Sequence, residues 1–475
     1  MVAQVDTYDV MCQQLSEKSL PLVNLLVDVD ALVRSDFISA EIEITDPQRR
    51  TDPHSETVHY ACGVRIRGGY AASQEKKSYA IKLYDAEGED FDAPIFGIRN
   101  ENSWILDAMA IDRIRMRNRV CFDLWNQISK TPYDTPYNNR NGTAGVFVEV
   151  FLNGIYQGLY CCTDKVDRRL LGLKKWRVNE DTGIETVRGI LYKGINWLSG
   201  SKLTEYKQTL TDQISWNAWE LQYPSDHPSD LTWNPLMALI DFCAFVNADD
   251  VFRAGYQDHF YPENLVDYLV FTFALNVGDN AYKNTFLSTP DINLHQRFLI
   301  TPWDMDMSLG GYYNGNRDSS FVNVNRYAYV APFNRIMSHD IDNLLSRSKE
   351  RWCQLSQTVL SPENVQSLLE GYARLFTESG AWERECSRWN NIPVPLTSDF
   401  SEELDYVIDW YAQNCAHLNQ QWGIATDIAD LSESSALPPV SDALYSLDGR
   451  KLSVHQHARL LPGVYLYGGK KLLVK

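Results

Sequence analysis

The chain has 475 residues, 44% of them hydrophobic, and includes 13 Trp, 26 Tyr and 18 Phe. This much apolar and aromatic bulk fills one large core or two lobes that share one, which excludes an intrinsically disordered chain. The 62 acidic and 44 basic side chains give a formal net charge of −18. Such a field repels nucleic acid and anionic membrane, so we expect neither as a partner. A local cluster of basic side chains and metal can still bind an anion in one cleft.

Short apolar runs, one of them with a clear period of two, predict β-strands between residues 20 and about 165. Asn153 and Gly154 follow one such run and predict a tight hairpin that returns towards Cys162. The predicted strands lie at 20–27, 38–44, 64–67, 79–83 and 145–152, and one helix is predicted at 111–128.

Helix-spaced apolar residues prevail in the second part of the chain. One run there, at 297–306, instead resembles a strand that ends in acidic residues. The predicted helices lie at 231–247, 262–277, 341–360, 362–378 and 402–422. A strand-rich front and a helix-rich back predict an α+β fold with two lobes and a cleft between them.

Changes in composition divide the chain into an N-terminal extension, a main domain, a linker and a small tail. The linker is rich in Ser, Pro and acidic residues, and the tail has the alternation and Gly pairs of a small β module. The predicted boundaries are 1–19 for the extension, 20–427 for the main domain, 428–442 for the linker and 443–475 for the β module. Within the main domain, the β-rich lobe covers about 20–165 and the helical lobe about 166–427.

Four polar side chains in the second half have the spacing of a site for a divalent cation. Asp279 and Asn284 are five residues apart, as are the catalytic base and a Mg²⁺ ligand in the catalytic loop of protein kinases. Asp304 and Asp306 would face the same side if the preceding strand stays extended. Close carboxylates repel one another unless a hard cation lies between them. The alternative is that these are solvated loop carboxylates, and spacing alone does not decide between the two.

The front lobe contains basic side chains that fit a phosphate-binding roof. Arg65 and Arg67 share one face of a strand, Gly68 begins a permissive turn, and Lys82 lies on the next strand. In kinases a Gly-containing hairpin covers the phosphates and a strand Lys pairs with them. Taken alone, the pattern fits the solvated face of a sheet better.

Other chemistries have weaker support in the sequence. No G-x-S-x-G, H-E-x-x-H or C-x-x-C pattern occurs, which argues against a serine hydrolase, a zinc protease and a structural zinc site. A glycoside hydrolase needs two carboxylates across a sugar, and nothing nominates a particular pair.

Several segments, taken together and in order, resemble the CotH kinase family of atypical protein kinases, named after a spore-coat protein. They cover about residues 20 to 425 and lie at 20–23, 65–68, 76–83, 117–118, 147–160, 279–284 and 302–306. The resemblance implies an atypical kinase-like fold that transfers the γ-phosphate of ATP to Ser/Thr hydroxyls of a protein substrate. It also implies Mg²⁺ as the cofactor, with Mn²⁺ as an alternative.

The resemblance also implies roles for the residues of the second half. By position, Asp279 is the catalytic residue that orients and deprotonates the acceptor hydroxyl. Asn284 and Asp304 hold the metal, with Asp306 as a second candidate ligand.

In the front lobe, the resemblance places Lys82 on the α- and β-phosphates and Arg65, Arg67 and Gly68 along the roof of the nucleotide site. The sequence departs from typical kinases here, because helix 111–128 has no Glu to pair with Lys82. Asp112, Asp123 or a residue elsewhere would have to serve. The departure leaves open a catalytically silent nucleotide-binding protein or a surface scaffold.

The tail resembles the C-terminal β modules of some bacterial exported proteins. This favours a secreted or cell-envelope protein, whose leader is absent from the sequence, over a cytoplasmic one. No apolar run approaches the ~20 residues that cross a bilayer, so we expect no integral membrane segment.

Overall fold

The computed structural model describes most of the chain up to residue 424 and four short segments beyond it. These residues are 7–205, 212–245, 248–281, 283–390, 396–424, 444–446, 451–452, 463–467 and 470–474. The chain forms two compact units, Met1–Cys415 and Ala416–Lys475. The predicted linker, 428–442, lies outside the described residues, and the proposed domain boundaries remain predictions.

The N-terminal part of the first unit is a closed barrel of seven strands in the order β1-β2-β3-β4-β5-β7-β6. Antiparallel pairs build it, and a parallel pair between β1 and β6 closes it. The strands are β1 Leu22–Val27, β2 Ile38–Thr45, β3 Thr57–Arg67, β4 Ser78–Tyr84, β5 Ser103–Asp107, β6 Gly145–Leu152 and β7 Ile155–Thr163. Side chains from all seven strands fill the interior, among them Val23, Ile42, Val64, Ile81, Trp104, Val150 and Tyr160.

The predicted hairpins of this region are confirmed. β3 pairs with β4, with Arg67 opposite Ser78, and β6 pairs with β7 across Asn153-Gly154. Asn153 and Gly154 have φ values of 48° and 77°, the left-handed conformation that a two-residue hairpin turn needs. The prediction missed β5, a five-residue strand between two loops.

A second, five-stranded sheet lies in the part that was predicted to be mainly helical. Its strands have the order β11-β12-β10-β13-β14. The strand predicted within 297–306 is confirmed as β14, whereas the other four are too short to show a clear period in the sequence. After a hairpin of β8 Arg177–Val178 and β9 Glu185–Thr186, the five strands are β10 Ile190–Gly194, β11 Ser215–Trp216, β12 Trp219–Tyr223, β13 Thr285–Thr289 and β14 Leu299–Pro302.

Helices provide most of the remainder, so the chain is a mixed α+β protein with a β-rich N-terminal region and a helical C-terminal part. The helices are α1 Tyr8–Gln13, α2 Arg117–Ile128, α3 Asp230–Phe245, α4 Asp249–His259, α5 Pro262–Ala274, α6 Phe333–His339, α7 Leu344–Leu355, α8 Pro362–Glu378, α9 Ala381–Arg388 and α10 Ser401–Trp422. None of the helices in the described part has the length and apolarity to cross a membrane. The last unit has a four-stranded sheet of β15 Leu444–Ser446, β16 Lys451–Leu452, β17 Gly463–Tyr467 and β18 Lys470–Val474.

Helix α2 begins six residues later than predicted because Asp112 acts as its cap. The Oδ2 atom of Asp112 accepts hydrogen bonds from the backbone N–H groups of Met116 and Arg117, at 2.8 and 2.7 Å. These groups would otherwise have no partner at the start of the helix. Residues before Met116 therefore form turns, and Arg115 has a φ of 54°.

A buried group of charges joins the barrel to helix α9. Glu385 accepts hydrogen bonds from Lys76 Nζ at 2.6 Å, from Arg115 Nε at 2.8 Å and from the Leu159 backbone N–H at 2.7 Å. All three charged side chains have no exposed surface. Burial alone would raise the pKa of Glu385, but Lys76 and Arg115 together lower it. Gly158 permits this approach, since a Cβ atom there would lie 2.2 Å from Glu385 Oε2.

We expect Glu385→Gln to lower the free energy of unfolding by about 3–5 kcal/mol, because it leaves two buried cations without their counter-charge. Glu383→Gln, on the exposed side of the same helix, should change it by less than about 0.5 kcal/mol. Urea unfolding of both variants measures the difference. Equal midpoints for the two variants would contradict the proposed importance of the buried group.

Candidate functional site

The loop between α5 and β13 positions Asp279 and Asn284. It begins after a helix that is buried on every side, and the Tyr268 hydroxyl of that helix donates to the Asn280 carbonyl oxygen at 2.7 Å. Asn284 has a φ of 56°, a left-handed conformation that Asn tolerates better than most residues. Its amide nitrogen donates to Asp279 Oδ2 at 3.1 Å and to Asp304 Oδ2 at 3.3 Å. One amide therefore joins the three residues that the kinase order predicted would meet.

Asp304 reaches this point because β14 pairs with β13. Thr285 lies opposite Pro302, and the Trp303 N–H donates to the Asn284 carbonyl oxygen at 2.9 Å. The strand ends at Pro302, however, and Asp304 has a φ of 56°. The predicted extended conformation therefore does not continue to Asp306, although Asp304 and Asp306 both line the same hollow.

This hollow, which we call the catalytic hollow, has a volume of about 260 Å³ and is lined by five aspartates. Asp279, Asp304 and Asp306 were predicted as site residues from the sequence. Asp112 was considered only as a partner of Lys82, and Asp107, at the end of β5, was not predicted. Asn118 Nδ2 donates to Asp107 Oδ2 at 3.1 Å, and Asn118 Oδ1 accepts the Met305 N–H at 3.1 Å. The same Asn thus connects the barrel to the segment that bears Asp304 and Asp306.

Burial, followed by the crowding of like charges, shifts the pKa values of the acids in the catalytic hollow. Burial raises the pKa of Asp306 well above its ordinary value, and Asp304 and Asp107 raise it further. Burial also raises the pKa of Asp304, opposed by Lys193. Asp304 remains accessible from the hollow although protein surrounds it. Such a group of acids binds a cation or a proton readily.

Three basic side chains, Arg67, Lys193 and Lys283, line the hollow with the acids. The sequence motifs assigned a role to only one of them, Arg67. Lys283 Nζ lies 2.9 Å from Asp279 Oδ2 and 5.9 Å from the Trp197 ring centre. Lys193, on β10, lies near Asp304, and burial lowers its pKa. Sequence reasoning could have found Lys283, because it follows Asp279 by four residues. No comparable sequence pattern marks Lys193, which lies on a strand of only five residues.

The predicted nucleotide-binding residues do not all lie in the catalytic hollow. Arg67 and Gly68 line it and also line an adjoining hollow of about 810 Å³, whereas Arg65 and Lys82 line only the adjoining one. Lys82 Nζ lies 2.6 Å from Asp90 Oδ1. Arg65 Nη1 donates to the Arg34 carbonyl oxygen at 3.0 Å.

The carboxylates suggested as partners of Lys82 are engaged elsewhere. Asp112 binds Arg117 Nη1 at 2.5 Å, and Asp123 binds Arg119 Nη2 at 2.8 Å. The residue that serves is Asp90, on a loop beside β4. Its hydrogen bond raises the pKa of Lys82.

The donors fit a metal that is held jointly with phosphate oxygens. Within the described ranges, no three His, Cys, Asp or Glu side chains are grouped so that they hold a metal by themselves. Mg²⁺ in nucleotide sites commonly takes only one or two protein carboxylates, and phosphate oxygens and water complete the shell. Asp304 and Asp306 supply oxygen donors of this kind. Asn284, whose NH2 group donates to Asp304, would supply its Oδ1 atom after rotation of the amide.

Comparison with known proteins adds one finding. The family model described as CotH kinase protein matches residues 64–418, which include every residue of the catalytic hollow named above. No protein of curated function matches the chain at a significant level of similarity.

We expect Asp306→Asn to stabilise the protein when no divalent cation is present. A carboxyl whose pKa is raised on folding opposes folding when it is ionised, and each pKa unit corresponds to about 1.4 kcal/mol. The variant should therefore unfold at a higher urea concentration than the unmodified protein at pH 7.

The gain should shrink as the pH falls towards the ordinary pKa of Asp, about 4, because the unmodified side chain then becomes neutral in both states. Asp405→Asn, at an exposed position of α10, is the control and should change little. A loss of stability at pH 7 in Asp306→Asn would show that the carboxylate is well compensated.

Proposed function

Because the chain belongs to the CotH kinase family, we propose that it transfers the γ-phosphoryl group of ATP to Ser or Thr hydroxyls of a protein substrate. The observation that supports this most directly is the Asn284 amide that joins Asp279 to Asp304 at a hollow with basic side chains. Catalytic base, metal ligands and phosphate-facing cations thereby share one space. Phosphoryl transfer depends mainly on such positioning and on neutralising charge.

In this proposal Asp279 accepts the proton of the acceptor hydroxyl as its oxygen bonds to the γ-phosphorus. The Lys283 ammonium, 2.9 Å away, fixes the orientation of this carboxylate and neutralises part of its charge. Asn284 and Asp304 are the metal ligands, with Asp306 as a further one. Bound Mg²⁺, or Mn²⁺ in its place, would supply positive charge to the phosphate oxygens.

The turn after β3 forms the roof over the phosphates in this arrangement. Gly68 has a φ of 108°, a conformation that side chains rarely adopt. It follows Arg67, whose guanidinium lies 5.9 Å from the Trp303 ring centre. The barrel would then act as the upper lobe and the helical part as the lower lobe of a kinase-like cleft.

We further propose that the protein acts outside the cytoplasm, as a secreted or cell-envelope protein. The support is the resemblance of the tail to the β modules of exported proteins, together with the sheet of β15–β18 that it forms. The substrate would then be a secreted or surface protein that presents acceptor hydroxyls.

We expect the purified chain to transfer ³²P from γ-labelled ATP to dephosphorylated casein when Mg²⁺ or Mn²⁺ is present. Asp279→Ala should lower the rate by about 10²–10⁴-fold, the usual contribution of a positioned base, and still bind ATP. Asp304→Ala should lose the metal-dependent part of ATP binding as well. Asp405→Ala is the matched control and should retain full activity.

Two results would change the conclusion. Transfer that survives both Asp279→Ala and Asp304→Ala would refute the assigned site. Saturable ATP binding without transfer to casein or to the chain itself would identify a catalytically silent nucleotide-binding protein.

A further inference from the structure

Lys193 occupies an unusual position for a basic side chain. It lies on β10, the middle strand of the second sheet, opposite Phe286 of β13. Its ammonium lies 5.9 Å from the Phe286 ring centre and 5.8 Å from the Trp303 ring centre. The two rings therefore flank the charged end of the side chain, as in a cation–π contact. Lys193 lines both the catalytic hollow and the adjoining hollow.

The charge of Lys193 has no direct partner in the part of the chain that the structure describes, which records neither an ion pair nor a hydrogen bond for its ammonium. Asp304 attracts it from a distance, as does Glu220, which lies opposite Lys193 on β12, and Arg67 and Lys283 repel it. Arg67 lies against the same Trp303 ring, at 5.9 Å. Arg67 and Lys193 thus both lie beside the Trp303 ring, where the two hollows adjoin. An anion bound between the two cations would reduce their mutual repulsion.

Lys82 differs from Lys193 on each of these points. Its charge is neutralised by Asp90 at 2.6 Å, and it lines only the adjoining hollow. Ser78, on the same strand, does line the catalytic hollow. Lys82 lies four residues further along β4, which corresponds to about 13 Å.

We propose that Lys193, together with Arg67, binds the phosphates of the nucleotide where they pass over Trp303, from the catalytic hollow into the adjoining hollow. This inference rests on the proposed function and replaces Lys82 as the phosphate-binding lysine. The lysine then comes from the sheet that carries the catalytic loop, rather than from the barrel above it.

During transfer, the acceptor oxygen bonds to the γ-phosphorus while the bond from that phosphorus to the bridging β–γ oxygen breaks. The acceptor proton moves to Asp279, and the electron pair of the broken bond stays on the β-phosphate of ADP. Lys193 neutralises the charge that accumulates there. The step needs no reactant other than ATP and the hydroxyl.

The test compares Lys193→Met with Lys82→Met in the full chain. Methionine keeps an unbranched side chain of similar length and removes the charge together with its hydrogen-bond donors. Calorimetric titration with ATP and with AMP, both with Mg²⁺, separates binding of the β- and γ-phosphates from binding of the nucleoside part. Urea unfolding of each variant verifies that it folds.

We expect Lys193→Met to weaken ATP binding by about 10–150-fold, the range for a lost charge-assisted hydrogen bond, and AMP binding by less than about 3-fold. Lys82→Met should change both by less than about 3-fold, and Lys193→Arg should recover part of the ATP affinity. In the kinase assay, Lys193→Met should raise the KM for ATP at least about tenfold. If Lys193 had only a structural role, its replacement would weaken the binding of ATP and the binding of AMP equally.

The inference is overturned if Lys193→Met binds ATP like the unmodified protein, or if Lys82→Met shows the larger loss. Transfer that depends on Asp279 but not on Lys193 would refute this inference and leave the proposed function intact. If the protein has no transferase activity but Lys193→Met selectively loses ATP binding, the proposed function is refuted and this inference is supported. An unmodified chain that binds no ATP would refute both.

Discussion

Mutual repulsion among carboxylates in one hollow is the constraint around which this protein is arranged. Asp107, Asp279, Asp304 and Asp306 share this hollow, and a partly enclosed site screens like charges less well than water does. Each structural part contributes a basic side chain that balances this repulsion. The barrel supplies Arg67, the second sheet supplies Lys193, and the loop between α5 and β13 supplies Lys283. The free protein tolerates an unfavourable local arrangement because the rest of the fold is stable enough to hold it.

The order of motifs indicated which acidic residues would meet, but not how. Asp279, Asn284 and Asp304 lie together, as a kinase-like spacing implies. The proposed reason, an extended strand up to Asp306, is wrong, since the strand ends at Pro302 and Asp304 takes a left-handed conformation. A family motif indicates which residues lie together, but it does not indicate the backbone conformation that brings them together. The chemical roles of these residues stay predictions.

The residues that sequence patterns missed share a physical reason. Asp107 and Lys193 end or lie on strands of five residues, whose partners are remote in the chain, so no local period marks them. Helix α2 starts late because a single side-chain cap overrides a run of helix-compatible residues. Lys82, by contrast, is conspicuous in the sequence but is neutralised by Asp90 from a neighbouring loop. Pairing across the fold, rather than residue type, decides which lysine is available to a ligand.

The buried contact between Lys76 and Glu385 has a consequence for biosynthesis. The two residues are 309 positions apart. During synthesis the barrel strands therefore leave the ribosome long before Glu385, whose carboxylate neutralises the Lys76 ammonium. Loops that long close at an entropic cost, and partly folded barrels expose strand edges in the meantime. This contact thus forms only after Glu385 has been synthesised, and fragments that end before it would leave the buried Lys76 ammonium without its counter-charge.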